Sequence, residues 1–246
     1  MRYFGLLGYP LSHSFSQQFF TDKFKAEGIT DCVYENFSVP AIVAFKTILA
    51  NQPALEGFNI TIPYKREIVA LLDSVTDSVR KMGACNCVKI TNGKLVGYNT
   101  DIVGFKQSLL PYLKSYHQQA LILGTGGASS AVAYVLNELS IPYQFVSRLA
   151  TASAISYDSL NANILQTHKL IINTTPLGMY PNVQDFPAVP FHLLTPKHHL
   201  FDLIYNPSET KFLAQGKMMG ASIQNGLEML VLQAEESWRI WNDSNR

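Results

Sequence analysis

Short apolar runs alternate along the chain with stretches whose apolar positions recur at helical spacing. The first kind reads as buried strands and the second as helices that lay one face on a sheet. This pattern predicts strands at 3–8, 32–39, 57–62, 85–90 and 94–98 in the first half, with helices at 17–27, 40–49, 64–72 and 76–81 between them. Asn92-Gly93 joins two of these strands as a hairpin turn. A helix over 101–112 leads into strands at 120–123, 143–146, 169–172, 200–205 and 222–224. Helices are expected from the turn after residue 123 to about 139, over 208–217 and over 227–241, with a short one near His192 in a proline-rich stretch at 180–198. Strands alternating with helices define an α/β protein, and the first half reads as an α/β layer of its own.

Residues 120 to 148 form a β-α-β unit, and its first turn reads Gly124-Thr125-Gly126-Gly127-Ala128-Ser129. Glycines there let the backbone approach a pyrophosphate, and the following helix offers free N–H groups and the positive end of its dipole. Ser129 stands where the fingerprint has Gly or Ala, and a tight turn without ligand is the competing explanation. The second strand ends Val146-Ser147-Arg148, with no acid to bond a ribose 2′-hydroxyl. Arg148 can pair with a 2′-phosphate and Ser147 can donate to it, so the chemistry favours NADP over NAD; the alternative is a solvated charge at a strand end.

The 246 residues suffice for one large or two ordinary domains, and 47% hydrophobic with 15% charged residues makes a sizeable core. A formal net charge of +1, with no basic stripe, argues against nucleic acid as partner. No apolar run is long enough to cross a membrane, and the start does not read as a signal peptide, so a cytoplasmic protein without membrane attachment is expected. Cys32, Cys85 and Cys87 fit neither a redox pair nor a zinc site and read as packed thiols. His198-His199 lacks further ligands, and no metal is expected.

Three polar clusters fall at strand ends, where open α/β sheets hold ligands. Ser14 and Ser16 flank a helix start and suit a carboxylate, or one of them simply caps the helix. Asn59 and Thr61 share one face of a strand, and Lys65 follows near a helix start, against the dipole preference. Asn86 and Asn99-Thr100-Asp101 form the third group, and Asp101 also suits the start of the helix it opens. A lysine and an aspartate brought together would make a proton-transfer pair.

Along nearly its whole length the chain resembles the shikimate dehydrogenases. The matching stretches are Gly8-Tyr9-Pro10 with His13 to Ser16, Asn59 to Lys65, Gly83 to Asn86, and Asn99 to Gly104. They continue through Gly124 to Ser129, Asn173 to Met179, Asp202 to Pro207, and Asn225-Gly226 with Met229 to Ala234. The resemblance implies a substrate-binding, catalytic domain at 1–103, a Rossmann NADP-binding domain at 104–226, and a C-terminal helix, 227–246, returning to the first domain. It implies that Ser14 and Ser16 hold the substrate carboxylate, that Asn59, Thr61, Asn86, Asp101 and Gln233 bind ring hydroxyls, and that Tyr205 lies near the substrate. Lys65 and Asp101 become the catalytic pair. Gly124, Gly126, Gly127, Ala128 and Ser129 cradle the pyrophosphate, Ser147 and Arg148 meet the 2′-phosphate, and Thr174, Thr175, Met179 and Gly226 line the nicotinamide side. The expected reaction is the reversible NADPH-dependent reduction of 3-dehydroshikimate to shikimate by a monomer or homodimer. Competing readings are an NAD-dependent quinate/shikimate dehydrogenase and a catalytically silent ligand sensor. The chain departs from the family at Cys87, where a threonine is usual, and at Leu149, which ends a Ser147-Arg148-Leu149 loop where the family often reads Asn-Arg-Thr.

Overall fold

The computed structural model describes residues 1–11 and 15–243. The chain divides into two compact units, Met1–Thr100 with Gln233–Arg246, and Asp101–Leu232.

The first unit is built on a six-stranded mixed sheet. Its strands are β1 (Arg2–Gly8), β2 (Cys32–Ser38), β3 (Leu55–Ile60), β4 (Ser74–Val75), β5 (Cys87–Thr91) and β6 (Lys94–Tyr98), in the order β2-β1-β3-β5-β6-β4. β1 runs parallel to both β2 and β3, whereas β5 is antiparallel to β3 and β6. Helices α1 (Phe15–Ala26), α2 (Phe45–Asn51) and α3 (Asp77–Met82) accompany it. Asn92 and Gly93 both take positive φ, the turn expected between β5 and β6.

Two expected helices are shorter than their patterns. The segment 40–49 opens as a 3₁₀ turn at Ile42–Ala44 before α2. The segment 64–72 forms only a 3₁₀ turn, Glu67–Leu71. The Lys65 carbonyl, which an α-helix would offer to Val69, instead accepts from the Cys85 N–H at 2.7 Å, and Val69 turns to Arg66. A bond across the unit thus outcompetes the local helix and fixes the backbone of Lys65.

In the second unit all six strands are parallel. They are β7 (Ala120–Leu123), β8 (Tyr143–Ser147), β9 (Ala154–Ser156), β10 (Leu170–Asn173), β11 (His199–Asp202) and β12 (Ser222–Gln224), ordered β12-β11-β10-β7-β8-β9. Counted from β7, this is the strand order 3-2-1-4-5-6 of dinucleotide-binding sheets, with its switch point between β7 and β10. The helices are α4 (Asp101–Leu109), α5 (Gly127–Glu138), α6 (Ala162–Thr167), α7 (Lys211–Met218) and α8 (Leu227–Asn242). Neither β9 nor α6 stands out in the sequence. β9 is three residues long, too short to show alternation, and α6 is a six-residue turn capped by Asn161, whose side chain accepts from the Ile164 N–H. The unit boundary falls inside α8, so its first turns belong to the second unit and the rest to the first.

In the first unit, one core lies around Leu7, Phe45, Phe58 and Ile68. The other joins Phe4, Phe20, Tyr34 and Trp241, with Trp241 stacked on Phe4 at 4.9 Å between ring centroids. Trp241 also donates its indole N–H to the Val88 carbonyl at 2.9 Å. Gly57, in the middle of β3, has no side chain because a Cβ there would overlap the Trp241 indole. We expect Gly57→Ala to displace the ring and destabilise the protein by roughly 1 to 3 kcal/mol, the usual cost of overpacking a core. Urea unfolding of the variant measures this, and an unchanged midpoint would refute it.

In the second unit β11 carries a buried titratable group at each end. His199 bonds Ser222 and Gln224, and burial holds its pKa down at about 4. Burial also lowers His117 and His198. At the far end burial pushes Asp202 up to about 6. The two kinds of group act oppositely. A neutral buried histidine contributes stability present above 6.5 and lost as pH falls through its folded value. Asp202 contributes stability present below 3.8 and lost as pH rises through about 6. Three histidines outweigh one aspartate, so stability is expected to fall between pH 6.5 and 4. Replacing His199 with Gln should flatten that limb by up to about 3 kcal/mol. Chemical denaturation of both proteins at pH 7, 5.5 and 4 checks it; parallel curves would exclude His199 as a source of the slope.

Candidate functional site

In the first unit a buried polar cluster forms where β3, β6 and α8 come together. Asn59, next to last in β3, accepts from the Tyr34 hydroxyl at 2.9 Å and donates to the Asn86 carbonyl at 3.2 Å and the Ser237 hydroxyl at 2.8 Å. Asn86, just ahead of β5, accepts the Thr100 N–H at 2.6 Å and donates to the Thr100 hydroxyl at 3.1 Å. That hydroxyl also lies 3.4 Å from the Gln233 side-chain oxygen and 3.2 Å from the Ser237 hydroxyl. Ser237, one turn beyond Gln233, donates to the Gln233 carbonyl at 2.9 Å. Asn59, Asn86, Thr100, Gln233 and Ser237 are all buried. Burial raises the Tyr34 hydroxyl well above its ordinary range, opposed by its hydrogen bond with Ser16. Ser16 therefore faces inward from the first turn of α1. Ser14 lies outside the described residues.

Thr61 follows β3, and its N–H bonds the Leu7 carbonyl. A Cβ at Gly8 would meet the Leu11 side chain at 2.9 Å and the Ile62 carbonyl at 3.2 Å, so the end of β1 closes tightly on this turn. Lys65 is half-buried, its backbone tied to Cys85 beside Asn86. Asp101 is buried and opens α4 directly after Thr100. Thr100 and Ser237 were not among the expected site residues. Thr100 lay within the Asn99-Thr100-Asp101 cluster, and Ser237 carried one signal, a polar residue one turn after Gln233 on a helix.

In the second unit the glycine turn leaves β7 beside β10, at the switch point. Gly124 has φ +99°, and a Cβ there would lie 2.8 Å from the Thr175 methyl. Gly126 and Gly127 differ. Neither has positive φ, and a Cβ on either would meet open space. Nothing inside the chain requires glycine at these two positions, which leaves room for an external group against the N-terminus of α5. Ser129 is buried and turns back to the Gly126 carbonyl at 2.7 Å, bracing the turn; Ala128 is half-buried beside it.

Across the switch point Thr174 donates to the Leu123 carbonyl at 2.7 Å, and Thr175 to the Asn173 side-chain oxygen at 2.7 Å. Asn173 donates to Asp202 at 3.0 Å, and Asp202 accepts from the Thr210 hydroxyl at 2.6 Å. These partners offset part of the burial that raises Asp202. The Asn173–Asp202–Thr210 network was also not anticipated; its visible signal is a polar residue closing each of two adjacent apolar strands. Met179 and Tyr205 are 44% and 37% exposed, so both have surface to offer a ligand. Gly226 has a reason of its own: a Cβ there would overlap the Leu203 carbonyl. Ser147 closes β8 and donates to the Leu149 carbonyl. Arg148 is exposed and makes no ion pair among the described residues. The Gly124 N–H bonds the Val146 carbonyl at 2.8 Å, which puts Arg148 two residues from the glycine turn's anchor.

A parallel sheet in this strand order, opening at its switch point onto two glycines without internal need, defines the dinucleotide-binding class of α/β proteins. Comparison with known proteins narrows this. Residues 6–88 match the family model for the shikimate dehydrogenase substrate binding domain. Over 96% of its length the chain is 38% identical to the shikimate dehydrogenase (NADP(+)) of Methanococcus maripaludis, covering 90% of that protein. It is 36% identical to the enzyme of the same name from Caldicellulosiruptor saccharolyticus, over 97% of this chain and 91% of that one. Among solved structures, the Thermus thermophilus shikimate 5-dehydrogenase in complex with NADP(H) and shikimate matches with TM-score 0.87 and 29% identity, over 98% of this chain and 94% of that one. A shikimate dehydrogenase in complex with NADP+ matches with TM-score 0.87 and 32% identity, over 98% and 90%. The chain belongs to the shikimate dehydrogenase family.

The open space at Gly126 generates a test. Gly126→Ala should leave the stability of the ligand-free protein within about 0.5 kcal/mol, as for a substitution touching nothing. The same methyl should weaken dinucleotide binding, because it stands where the backbone must approach the pyrophosphate. Thermal unfolding and calorimetric titration with NADP separate the two effects. Unchanged binding would mean that the turn does not hold the pyrophosphate.

Proposed function

We propose that this protein is an NADP-dependent oxidoreductase that interconverts 3-dehydroshikimate and shikimate. The observation that carries this reading is whole-length similarity to relatives named shikimate dehydrogenase (NADP(+)). The glycine turn, open at Gly126 and Gly127, supports a pyrophosphate there, and Arg148, without an ion pair among the described residues, supports a 2′-phosphate at the end of β8. Thr174, Thr175, Met179 and Gly226 would line the nicotinamide side, with Tyr205 toward the substrate. The first unit would serve as the substrate-binding, catalytic domain and the second as the NADP domain, with α8 shared between them. We read the enzyme as cytoplasmic and as a monomer or homodimer; among the described residues no helix is long and apolar enough to cross a membrane.

Ser14 and Ser16 would hold the substrate carboxylate by hydroxyl and backbone donors. Thr61, Asn86, Asp101 and Gln233 would receive the ring hydroxyls. Asn59, whose amide hydrogens are engaged by Asn86 and Ser237, would accept from a ring hydroxyl on the second lone pair of the oxygen that already accepts from Tyr34. NADPH, when bound, supplies the hydride for the ring carbonyl carbon. As negative charge grows on the carbonyl oxygen, the Lys65 ammonium stabilises it and delivers a proton. Asp101 orients Lys65 and accepts from the neighbouring hydroxyl. In the reverse direction the same lysine takes the proton from the substrate hydroxyl.

The direct test follows NADP reduction with shikimate and, separately, with quinate; turnover with quinate alone would overturn the assignment, and none with either would leave the ligand-sensor reading. Lys65→Ala should lower kcat by at least about 100-fold, the scale of one acid–base or electrostatic group, with a much smaller change in the shikimate KM. Turnover near that of the unaltered enzyme would remove Lys65 from the mechanism.

A further inference from the structure

We infer that Asn99 is a positioning residue for Lys65, acting through the peptide group between Ala84 and Cys85. The inference deepens the proposed reaction and rests on it. Asn99 follows the last residue of β6 and is buried. Its side-chain nitrogen donates to the Ala84 carbonyl at 3.0 Å. The N–H of that same peptide group belongs to Cys85 and donates to the Lys65 carbonyl at 2.7 Å. One peptide plane thus stands between the asparagine amide and the lysine backbone, held at both ends. A donor on a peptide oxygen polarises the group and strengthens the bond its N–H makes. The asparagine must face Ala84 with its nitrogen, since an amide oxygen there would oppose the carbonyl.

The neighbours of Asn99 hold the next residue of the same loop. The Tyr98 carbonyl accepts the Asn86 N–H at 3.1 Å, and Thr100 bonds the Asn86 side chain. These contacts fix Asn86 and leave the Ala84–Cys85 peptide to Asn99. Ala84 and Cys85 are fully buried, away from solvent that could replace a lost bond. Stability gives a poor account of the asparagine. Its Oδ1 is buried without a hydrogen-bond partner, and an orphaned buried acceptor costs as much as one amide hydrogen bond returns. Holding Lys65 does account for it. No α-helix defines the segment that carries Lys65, because Cys85 takes the carbonyl a helix would use and the next turn is 3₁₀. A long, flexible lysine stem needs a fixed root if its ammonium is to meet the reacting oxygen.

Steady-state oxidation of shikimate with NADP by the full chain tests this with Asn99→Leu, which keeps a branched shape and loses the donor. We expect kcat to fall about 10-fold with the shikimate KM within about threefold, the split for a group that acts in the transition state. In a Lys65→Ala background the same substitution should change kcat by less than about twofold, because the residue it acts through is gone. Asn99→Ser, whose hydroxyl is one bond too short to reach Ala84, should repeat both results with a milder change of packing. Amide hydrogen exchange gives an independent reading. In either variant the Cys85 N–H should exchange at least about 10-fold faster, while the Ile60 N–H, bonded to the Asn86 carbonyl, should not change. An undiminished kcat, an equal loss in the Lys65→Ala background, or unchanged exchange at Cys85 would each overturn the inference. Failure of both variants to fold would make Asn99 a residue of the core alone and overturn it too. If the unaltered chain does not oxidise shikimate, the proposed function fails, and exchange at Cys85 still shows whether Asn99 holds that peptide.

Discussion

The hydrogen bonds between Asn86 and Thr100 hold the first unit's polar cluster in one arrangement. Asn86 accepts the Thr100 N–H at 2.6 Å and donates to its hydroxyl at 3.1 Å, so the segment leaving β6 is fixed against the one entering β5. A buried amide left unpaired costs about 1 to 3 kcal/mol, so each member of such a cluster constrains its neighbours. Asn59 and Ser237 close the remaining valences and bring α8 into the same network. The positions of Gln233, on one side, and of the backbone entering Asp101, on the other, follow from this. Shifting one residue here would orphan several buried groups at once.

The second unit uses the same device at its strand ends. Asn173 and Asp202 close β10 and β11, and their bond couples the loop after one strand to the loop after the other. Asp202 is half-titrated at about 6 because burial opposes three hydrogen bonds that favour its charge. The loop it holds in place carries Thr174 and Thr175, the first of which donates to the carbonyl that ends β7. Hydrogen bonds running across the switch point thus keep its floor rigid while the glycine turn above stays open.

Long periodic stretches made much of this fold legible in the sequence. The helix 227–241 differs from α8 by one residue, and strand 222–224 coincides with β12. Failures came where a long-range bond beat a local one. At 64–72 the apolar spacing is helical, yet the Lys65 carbonyl pairs with Cys85 and the helix does not form. No local pattern announces such a partner twenty residues away. Clusters of polar residues at strand ends were legible as candidates, but their individual roles were not. Asn59 looks like a ligand-facing amide on its strand, and no local pattern announces its three partners Tyr34, Asn86 and Ser237. Ser147 looks like a donor, and the structure pairs its hydroxyl with the Leu149 carbonyl.

The glycines of the second unit show how a structure separates internal constraint from external demand. Gly124 needs its positive φ and its closeness to Thr175, and Gly226 needs contact with the Leu203 backbone. Folding alone accounts for both, so neither is evidence of a ligand. Gly126 and Gly127 take backbone angles open to other residues and face open space. Gly127, in the first turn of α5, carries the helix-interior cost of roughly 0.5 to 1 kcal/mol relative to alanine, whereas Gly126 is the N-cap, where glycine is an ordinary residue. A cost carried without internal return is best explained by something outside the chain that must come closer than a methyl group allows. The two glycines that look least remarkable in the folded protein are thus the ones that support the pyrophosphate site proposed at the N-terminus of α5.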